Sequence, residues 1–292
     1  MMFKGSGVAL VTPLDKNNNI NYNKVKELVE YHIESKTDAI IVCGTTGESS
    51  TLSNDEKKEL IKYVVQVSNK KIPVIAGTGS NNTKIAIEMS KYAEEAGADG
   101  LLIVTPYYNK CSEKSIYLHY KAISDKINIP IILYNVPSRT GVDISVKNIV
   151  KLSKLKNIYG IKEASTDISK IANIIKETSK NFYLYSGNDD LLLPILSLGG
   201  MGVISVAANI IPNEIHDICE FYFNEKNIES KELYYNYINL MKKLFIEVNP
   251  APIKYAMNEL GFDVGSLRLP LCDITKNNSK ILINELKKHF LL

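Results

Sequence analysis

A lysine set at the end of an apolar run is the residue of this chain that most invites chemistry. Ile158, Tyr159, Gly160 and Ile161 read as a buried strand, and Lys162 follows them directly. Burial disfavours an ammonium, and the neutral amine that it favours can attack a carbonyl and form a Schiff base. The plainer alternative turns Lys162 outward to pair with Glu163 or with a helix carboxylate. Hydroxyls and one cation bear on the choice. Thr45 and Thr46 stand in Gly44-Thr45-Thr46-Gly47, a glycine-flanked loop ahead of a helix, where backbone N–H groups and hydroxyls can hold a small carboxylate. Tyr134 ends an apolar run and could pass protons to and from an imine, or serve only as packing. Arg139 lies in a loop bounded by Pro137 and Gly141, either as a bidentate carboxylate clamp or as a surface arginine.

These residues need a scaffold that brings distant segments to one rim. Short apolar runs at 7–13, 39–43, 73–77, 100–104, 130–134, 158–162, 182–186 and 202–206 alternate with helical patterns. Ser53 and Glu56 form a capping box that opens one helix, and Gly97 marks the end of another. Runs this continuously apolar are covered on both faces, so the sheet is parallel. Eight such βα units predict an α/β fold, a TIM (β/α)8 barrel with its chemistry at the C-terminal ends of the strands. An open doubly wound sheet is the competing architecture, but no glycine-rich nucleotide turn follows the first strand. The expected division is a barrel over 1–224 and a helical extension over 225–292, patterned at Leu233, Tyr237, Leu240, Leu244, Ile281, Leu282 and Leu286.

On the predicted rim stand Thr45, Thr46, Tyr107, Tyr108, Tyr134, Arg139 and Lys162, a nucleophile with hydroxyls and a fixed cation. His32, His119, His216 and His289 fall in helical patterns without ligand-like spacing, so no metal cofactor is expected. Barrels often bind phosphate after strands seven and eight, yet here that loop carries Asp189 and Asp190. The expected substrate is therefore an unphosphorylated carboxylate.

Bulk properties agree with an ordinary globular enzyme. The chain has 292 residues, 45% hydrophobic and 23% charged, with a net charge of +3, too small to suggest a nucleic-acid partner. Cys43, Cys111, Cys219 and Cys272 are widely spaced, which fits a reducing cytoplasm. No signal peptide and no membrane span is expected.

Five blocks in order resemble the pyruvate-dependent class I aldolase superfamily, and within it the dihydrodipicolinate synthase family. They are Gly44-Thr45-Thr46-Gly47-Glu48-Ser49, Val74-Ile75-Ala76-Gly77-Thr78-Gly79, Thr105-Pro106-Tyr107-Tyr108, Tyr134-Asn135-Val136-Pro137-Ser138-Arg139-Thr140-Gly141 and Gly160-Ile161-Lys162-Glu163. The likeness implies a Schiff base between pyruvate and Lys162, with no other cofactor. It implies a proton relay of Tyr134, Thr45 and Tyr108, the last reaching in from a neighbouring subunit of a homotetramer built as a dimer of dimers. Thr46 and the Ile204 backbone would contact pyruvate, and Arg139 would bind the carboxylate of L-aspartate 4-semialdehyde. The product, 4-hydroxy-tetrahydrodipicolinate, leads to diaminopimelate and lysine. Lysine-regulated members use a glutamate and histidines where this chain has Ile85, Asn54 and Lys57, so insensitivity to lysine is expected. Sister enzymes, N-acetylneuraminate lyase or a 2-keto-3-deoxy sugar acid aldolase, share the threonine loop, Tyr134 and Lys162. The Ser138-Arg139-Thr140 segment and the tyrosine pair favour the synthase. A catalytically dead binding barrel would be expected to lack one of Tyr134, Thr45 or Lys162.

Overall fold

Burial on both faces of every strand dictates the architecture. The computed structural model describes residues 2–292. In chain order the barrel consists of β1 (Gly5–Ala9), α1 (Tyr22–Glu34), β2 (Ala39–Val42), α2 (Asn54–Ser68), β3 (Val74–Gly77), α3 (Thr83–Glu95), β4 (Gly100–Val104) and α4 (Glu113–Ser124). It continues through β5 (Ile131–Asn135), α5 (Pro137–Thr140), α6 (Val146–Leu152), β6 (Ile158–Glu163), α7 (Ile168–Glu177), β7 (Tyr183–Ser186), α8 (Leu192–Leu198), β8 (Gly202–Ser205) and α9 (Pro212–Phe223). The extension holds α10 (Asn227–Lys243), α11 (Ala251–Glu259) and α12 (Lys276–Lys288). Single 3-10 turns, Asp189–Leu191 and Ala207–Asn209, follow β7 and β8.

All eight strands pair in parallel and close on themselves, β8 returning to β1 with Ile204 opposite Gly7. This is the expected TIM barrel with a helical extension. Alternate residues make two cores. Ala9, Ile41, Ile75, Leu102, Ile132, Tyr134, Tyr185 and Ile204 fill the inside of the barrel. Their neighbours, such as Val8, Ile40, Val74, Leu101, Leu133 and Ile161, pack outward under the helices. Each such buried side chain contributes on the order of 1.5–3 kcal/mol against leaving it exposed.

Several boundaries differ from the sequence reading. β1 begins two residues earlier and stops at Ala9, because the chain beyond it turns to bridge Leu14 with Ile20. β5 runs through Asn135, and β6 continues past Lys162 to Glu163, so the lysine is next to last in its strand. The capping box forms as expected: Ser53 Oγ accepts from Glu56 N at 3.2 Å and Glu56 Oε2 from Ser53 N at 2.8 Å. Gly97 follows the C-cap residue Ala96 with φ +92°, a conformation that costs glycine nothing. In α10 the buried stripe contains Tyr234, Tyr237, Leu240 and Met241, and the expected Leu233 packs partly buried against the same core. The Tyr234 hydroxyl donates to the Asp190 carbonyl at 2.5 Å, which rotates that face towards the barrel.

Candidate active site

The period of two along β6 decides where the lysine goes. Ile161 and Glu163 face outward, and Lys162 faces the barrel interior, 6% exposed. In register it stands between Tyr134 on β5 and Tyr185 on β7. Its Nζ lies 4.5 Å from the Tyr134 ring centroid. The outward pairing of Lys162 with Glu163 is not formed. Glu163, wholly buried, instead accepts from Asn135 Nδ2 at 2.9 and 3.0 Å and from Ser165 N at 2.8 Å, with Lys170 Nζ at 3.6 Å. The two tyrosines beside the lysine are not equivalent. Tyr185 is fully buried, stacks on Phe3 and donates to the Phe3 carbonyl at 2.8 Å, and burial holds its phenol well above the usual range. Tyr134, by contrast, lines an open cavity.

That cavity has a volume of about 310 Å³ and is lined by Gly44, Thr45, Tyr107, Tyr134, Val136, Arg139 and Thr140, among others. The barrel therefore brings Thr45, Tyr134 and Arg139 to one mouth, with Lys162 beside Tyr134. Thr46 and Ile204 are buried, at 2% and 0% exposure, and neither lines this cavity. Tyr108 is not part of it: the side chain is 89% exposed, on a backbone with φ +69°.

The threonine loop is held in a costly conformation. Cys43 and Glu48 bracket it with φ of +56° and +54°, each costing of order 1–3 kcal/mol. Gly77 lies so close beneath that a Cβ there would collide with the Cys43 carbonyl. Thr12 Oγ1 donates to the Gly47 carbonyl at 2.7 Å. Glu48 forms a buried ion pair with Lys254 of α11 at 2.8 Å, and the ammonium also donates to the Thr12 and Ser266 carbonyls at 3.1 and 2.6 Å. Burial pulls the Lys254 pKa down, and Glu48 opposes that pull. Removing one partner of such a pair costs about 3–5 kcal/mol.

Arg139 owes its place to a single helical turn. Pro137 supplies the first position of α5 and Gly141, at φ +68°, ends it. One guanidinium nitrogen, Nη2, donates to the Asn249 carbonyl at 3.1 Å, while Asn249 Nδ2 donates to Thr46 Oγ1 at 3.0 Å. Asn249 thus ties the arginine to the threonine loop. Sequence reasoning missed both Asn249 and Lys254, because they lie in the extension, far along the chain from what they touch. The one available signal was a lysine inside the otherwise apolar start of α11, Ala251-Pro252-Ile253-Lys254.

A second cavity of about 240 Å³ adjoins the first through Lys57, Gly77, Gly79 and Tyr107. Asn54, Lys57, Asn81 and Ile85 line it. Burial lowers the Lys57 pKa. Among the described residues, one group of possible metal ligands comes together, His216, Asp217 and Glu220 on α9. It lies beside Asp38, which accepts from Ser6 N and pairs with His216 Nδ1 at 2.9 Å at the start of β1 and β2, the end of the barrel opposite the cavity.

Known proteins are similar to this chain over nearly its full length. The model of the dihydrodipicolinate synthetase family matches residues 2–289. A Clostridium novyi protein named 4-hydroxy-tetrahydrodipicolinate synthase is 56% identical over 288 residues, covering 99% of this chain and 97% of its own. The crystal structure of dihydrodipicolinate synthase from Aquifex aeolicus superposes with a TM-score of 0.97 at 42% identity, covering 99% of both chains. The Cyanidioschyzon merolae enzyme, crystallised with lysine bound, gives 0.97 at 41% identity over 100% of this chain and 99% of its own.

Proposed function

The chain belongs to the dihydrodipicolinate synthetase family, and on that premise we propose that it condenses pyruvate with L-aspartate 4-semialdehyde to give 4-hydroxy-tetrahydrodipicolinate, a lyase-class reaction leading to diaminopimelate and lysine. The observation that carries this reading is Lys162, buried inside the barrel beside Tyr134, which with Thr45 and Arg139 lines the cavity.

In the proposed mechanism the Lys162 amine attacks C2 of pyruvate, and water leaves as the imine forms. Tyr134 supplies and recovers the protons. Loss of a proton from C3 gives the enamine, whose carbon adds to the aldehyde of the second substrate. The amine of that substrate then attacks the imine carbon, which closes the ring and releases Lys162. Thr46 and the Ile204 backbone hold the pyruvate carboxylate, and Arg139 holds the carboxylate of the semialdehyde. Asn249 supports this division of labour, because it braces Thr46 and Arg139 at once. The protein's own amine is the electrophile-binding group, and the scheme uses no metal or coenzyme. The test is turnover of pyruvate with L-aspartate 4-semialdehyde against turnover with the sugar aldehydes of the sister aldolases. Faster condensation with a sugar aldehyde would reject the synthase reading.

The relay is completed between subunits. Tyr108 is 89% exposed, which leaves it available to a neighbouring subunit, as in a dimer or a dimer of dimers. The site of work is the cytoplasm, which suits four free cysteines; among the described residues no helix is long and apolar enough to cross a membrane.

Lysine does not strongly inhibit this enzyme in the proposed account. Ile85, Asn54 and Lys57 line one cavity with Asn81 and Tyr107. A bound lysine would set its ammonium groups against the Lys57 cation and the apolar Ile85, with no carboxylate among these five residues. Half-inhibition by submillimolar L-lysine at subsaturating pyruvate would reject this.

A further inference from the structure

Behind the proposed nucleophile and proton carrier, the ends of their two strands are tied together. Tyr134 and Lys162 point into the barrel, so the next residue on each strand, Asn135 on β5 and Glu163 on β6, points outward. Asn135 and Glu163 also stand opposite one another in register. Both are wholly buried, and neither lines the cavity. Two residues earlier on the same outer faces stand Leu133 and Ile161, ordinary aliphatic core. An amide and a carboxylate in that layer are costly unless their polar atoms are bonded. Here all four are. Asn135 Nδ2 donates to the two Glu163 oxygens at 3.0 and 2.9 Å and to Asp143 Oδ1 at 2.8 Å. Asn135 Oδ1 accepts from Ile144 N at 3.2 Å, and Glu163 Oε1 from Ser165 N at 2.8 Å. Lys170 of α7, itself buried, sets its ammonium 3.6 Å from Glu163 Oε2 and pairs with the half-exposed Asp143.

These bonds reach three parts of the proposed site. Glu163 directly follows Lys162, and Asn135 directly follows Tyr134. Asn135 also bonds residues 143 and 144 at once, which closes the loop 136–142 that carries Arg139. The ladder between β5 and β6 runs out at this point, with Ala164 N donating to the Asn135 carbonyl at 2.9 Å. Element ends are where local opening begins, so bonds that pin this end act where the ladder is weakest. We propose that Glu163 and Asn135 are positioning residues for the reaction: bonded to each other outside the barrel, they hold Lys162, Tyr134 and the Arg139 loop in one fixed arrangement. The inference rests on the pyruvate reading above and names the residues that set the geometry of that site from behind. An aliphatic pair would fill the same space, and exchanging a buried charge for a well-packed apolar group often costs no stability. It would lose the directional bonds, which fix angle as well as distance. Activity and stability should therefore part company.

The readout is the rate at which saturating pyruvate forms a borohydride-trappable imine on Lys162, a step that precedes the second substrate. Glu163→Leu is expected to keep a near-native Tm and to form imine about 10–100-fold more slowly, the cost of a small misplacement of the amine. Its half-saturation by pyruvate should change little. Glu163→Gln keeps one acceptor oxygen for Ser165 N and Asn135 Nδ2, and its rate should fall between those of the leucine variant and the native protein. Asn135→Leu should slow imine formation as Glu163→Leu does. It should also raise the KM for the semialdehyde, which Glu163→Leu should leave nearly unchanged. Native imine rates in the folded leucine variants overturn the proposal. So does a loss of rate that only matches the fraction of protein unfolded, or one that Glu163→Gln does not lessen. Should the leucine variants fail to fold, Glu163→Gln decides, and a native imine rate there overturns the proposal. Native protein that forms no imine on Lys162 defeats the pyruvate reading itself, an outcome distinct from equal rates in native and variant.

Discussion

Lys162 and Tyr134 stand opposite one another in register on β6 and β5, with the lysine nitrogen 4.5 Å from the phenol ring centroid. Parallel pairing fixes this neighbourhood: a slip of one residue would turn either side chain out under the helices. The strand pair, not a loop, sets the spacing between the proposed nucleophile and the proposed proton carrier.

Removal of the Tyr134 hydroxyl tests that role. Tyr134→Phe keeps the ring and its packing inside the barrel. Its kcat is expected to fall by about 10²–10⁴, the usual worth of a positioned acid or base, with Tm little changed. Steady-state kinetics and a melting curve on one preparation check both parts. Near-native kcat would assign the proton transfers elsewhere.

Arg139→Ala separates the two substrates. Arg139 is exposed in the chain as it stands, and a hydrogen bond to a charged group is worth about 1.5–3 kcal/mol, so the KM for the semialdehyde is expected to rise roughly 10-fold or more, and that for pyruvate far less. Equal increases would mean that the guanidinium serves mainly to brace Asn249 and the threonine loop.

The exposed Tyr108 makes a prediction about shared sites. Tyr108→Phe and Lys162→Ala are each expected to be poorly active alone. When the two variants are mixed and allowed to exchange subunits, activity is expected to return in part. A hybrid has one barrel that keeps its lysine and receives an intact tyrosine from its neighbour. Absence of recovery despite demonstrated exchange would place Tyr108 in its own barrel or outside the chemistry.

The sequence disclosed those parts of the site that are local. Eight apolar runs, the Pro137–Gly141 frame around Arg139 and the lysine in the sixth run each declare themselves within a few residues, because strand burial and turn chemistry are short-range. What brings Thr46 together with Asn249, or Glu48 with Lys254, is tertiary packing across some two hundred positions, and a lone lysine in the apolar start of α11 does not say what it will meet. Asp189 was visible as an acid after the seventh strand. That its carboxylate would bind the backbone after the eighth strand depends on the barrel closing, which no local pattern encodes.

Stability should fall on the acid side for two stated reasons. The Arg268 hydrogen bonds pull Glu56 down to about 2, so its contribution is complete above the ordinary value near 4.5 and is lost as pH falls towards 2. Burial pulls His32 down to about 3, so between 6.5 and 3 the unfolded chain takes up a proton that the folded one refuses, and stability again falls with pH. His216, raised by its bond to Asp38, works in the other direction: its contribution is present below 6.5 and lost as pH rises through its raised pKa. Glu56→Gln should therefore lower Tm at pH 7 by more than at pH 3. An equal loss at both would remove the ion pair with Arg268 as the cause.

Reduction with borohydride in the presence of pyruvate tests the central claim most directly. Peptide mapping is predicted to find one pyruvate-derived group per chain, on the peptide that contains Lys162, and none on that peptide in Lys162→Ala. Stable modification of a different lysine, with Lys162 untouched, would contradict the account.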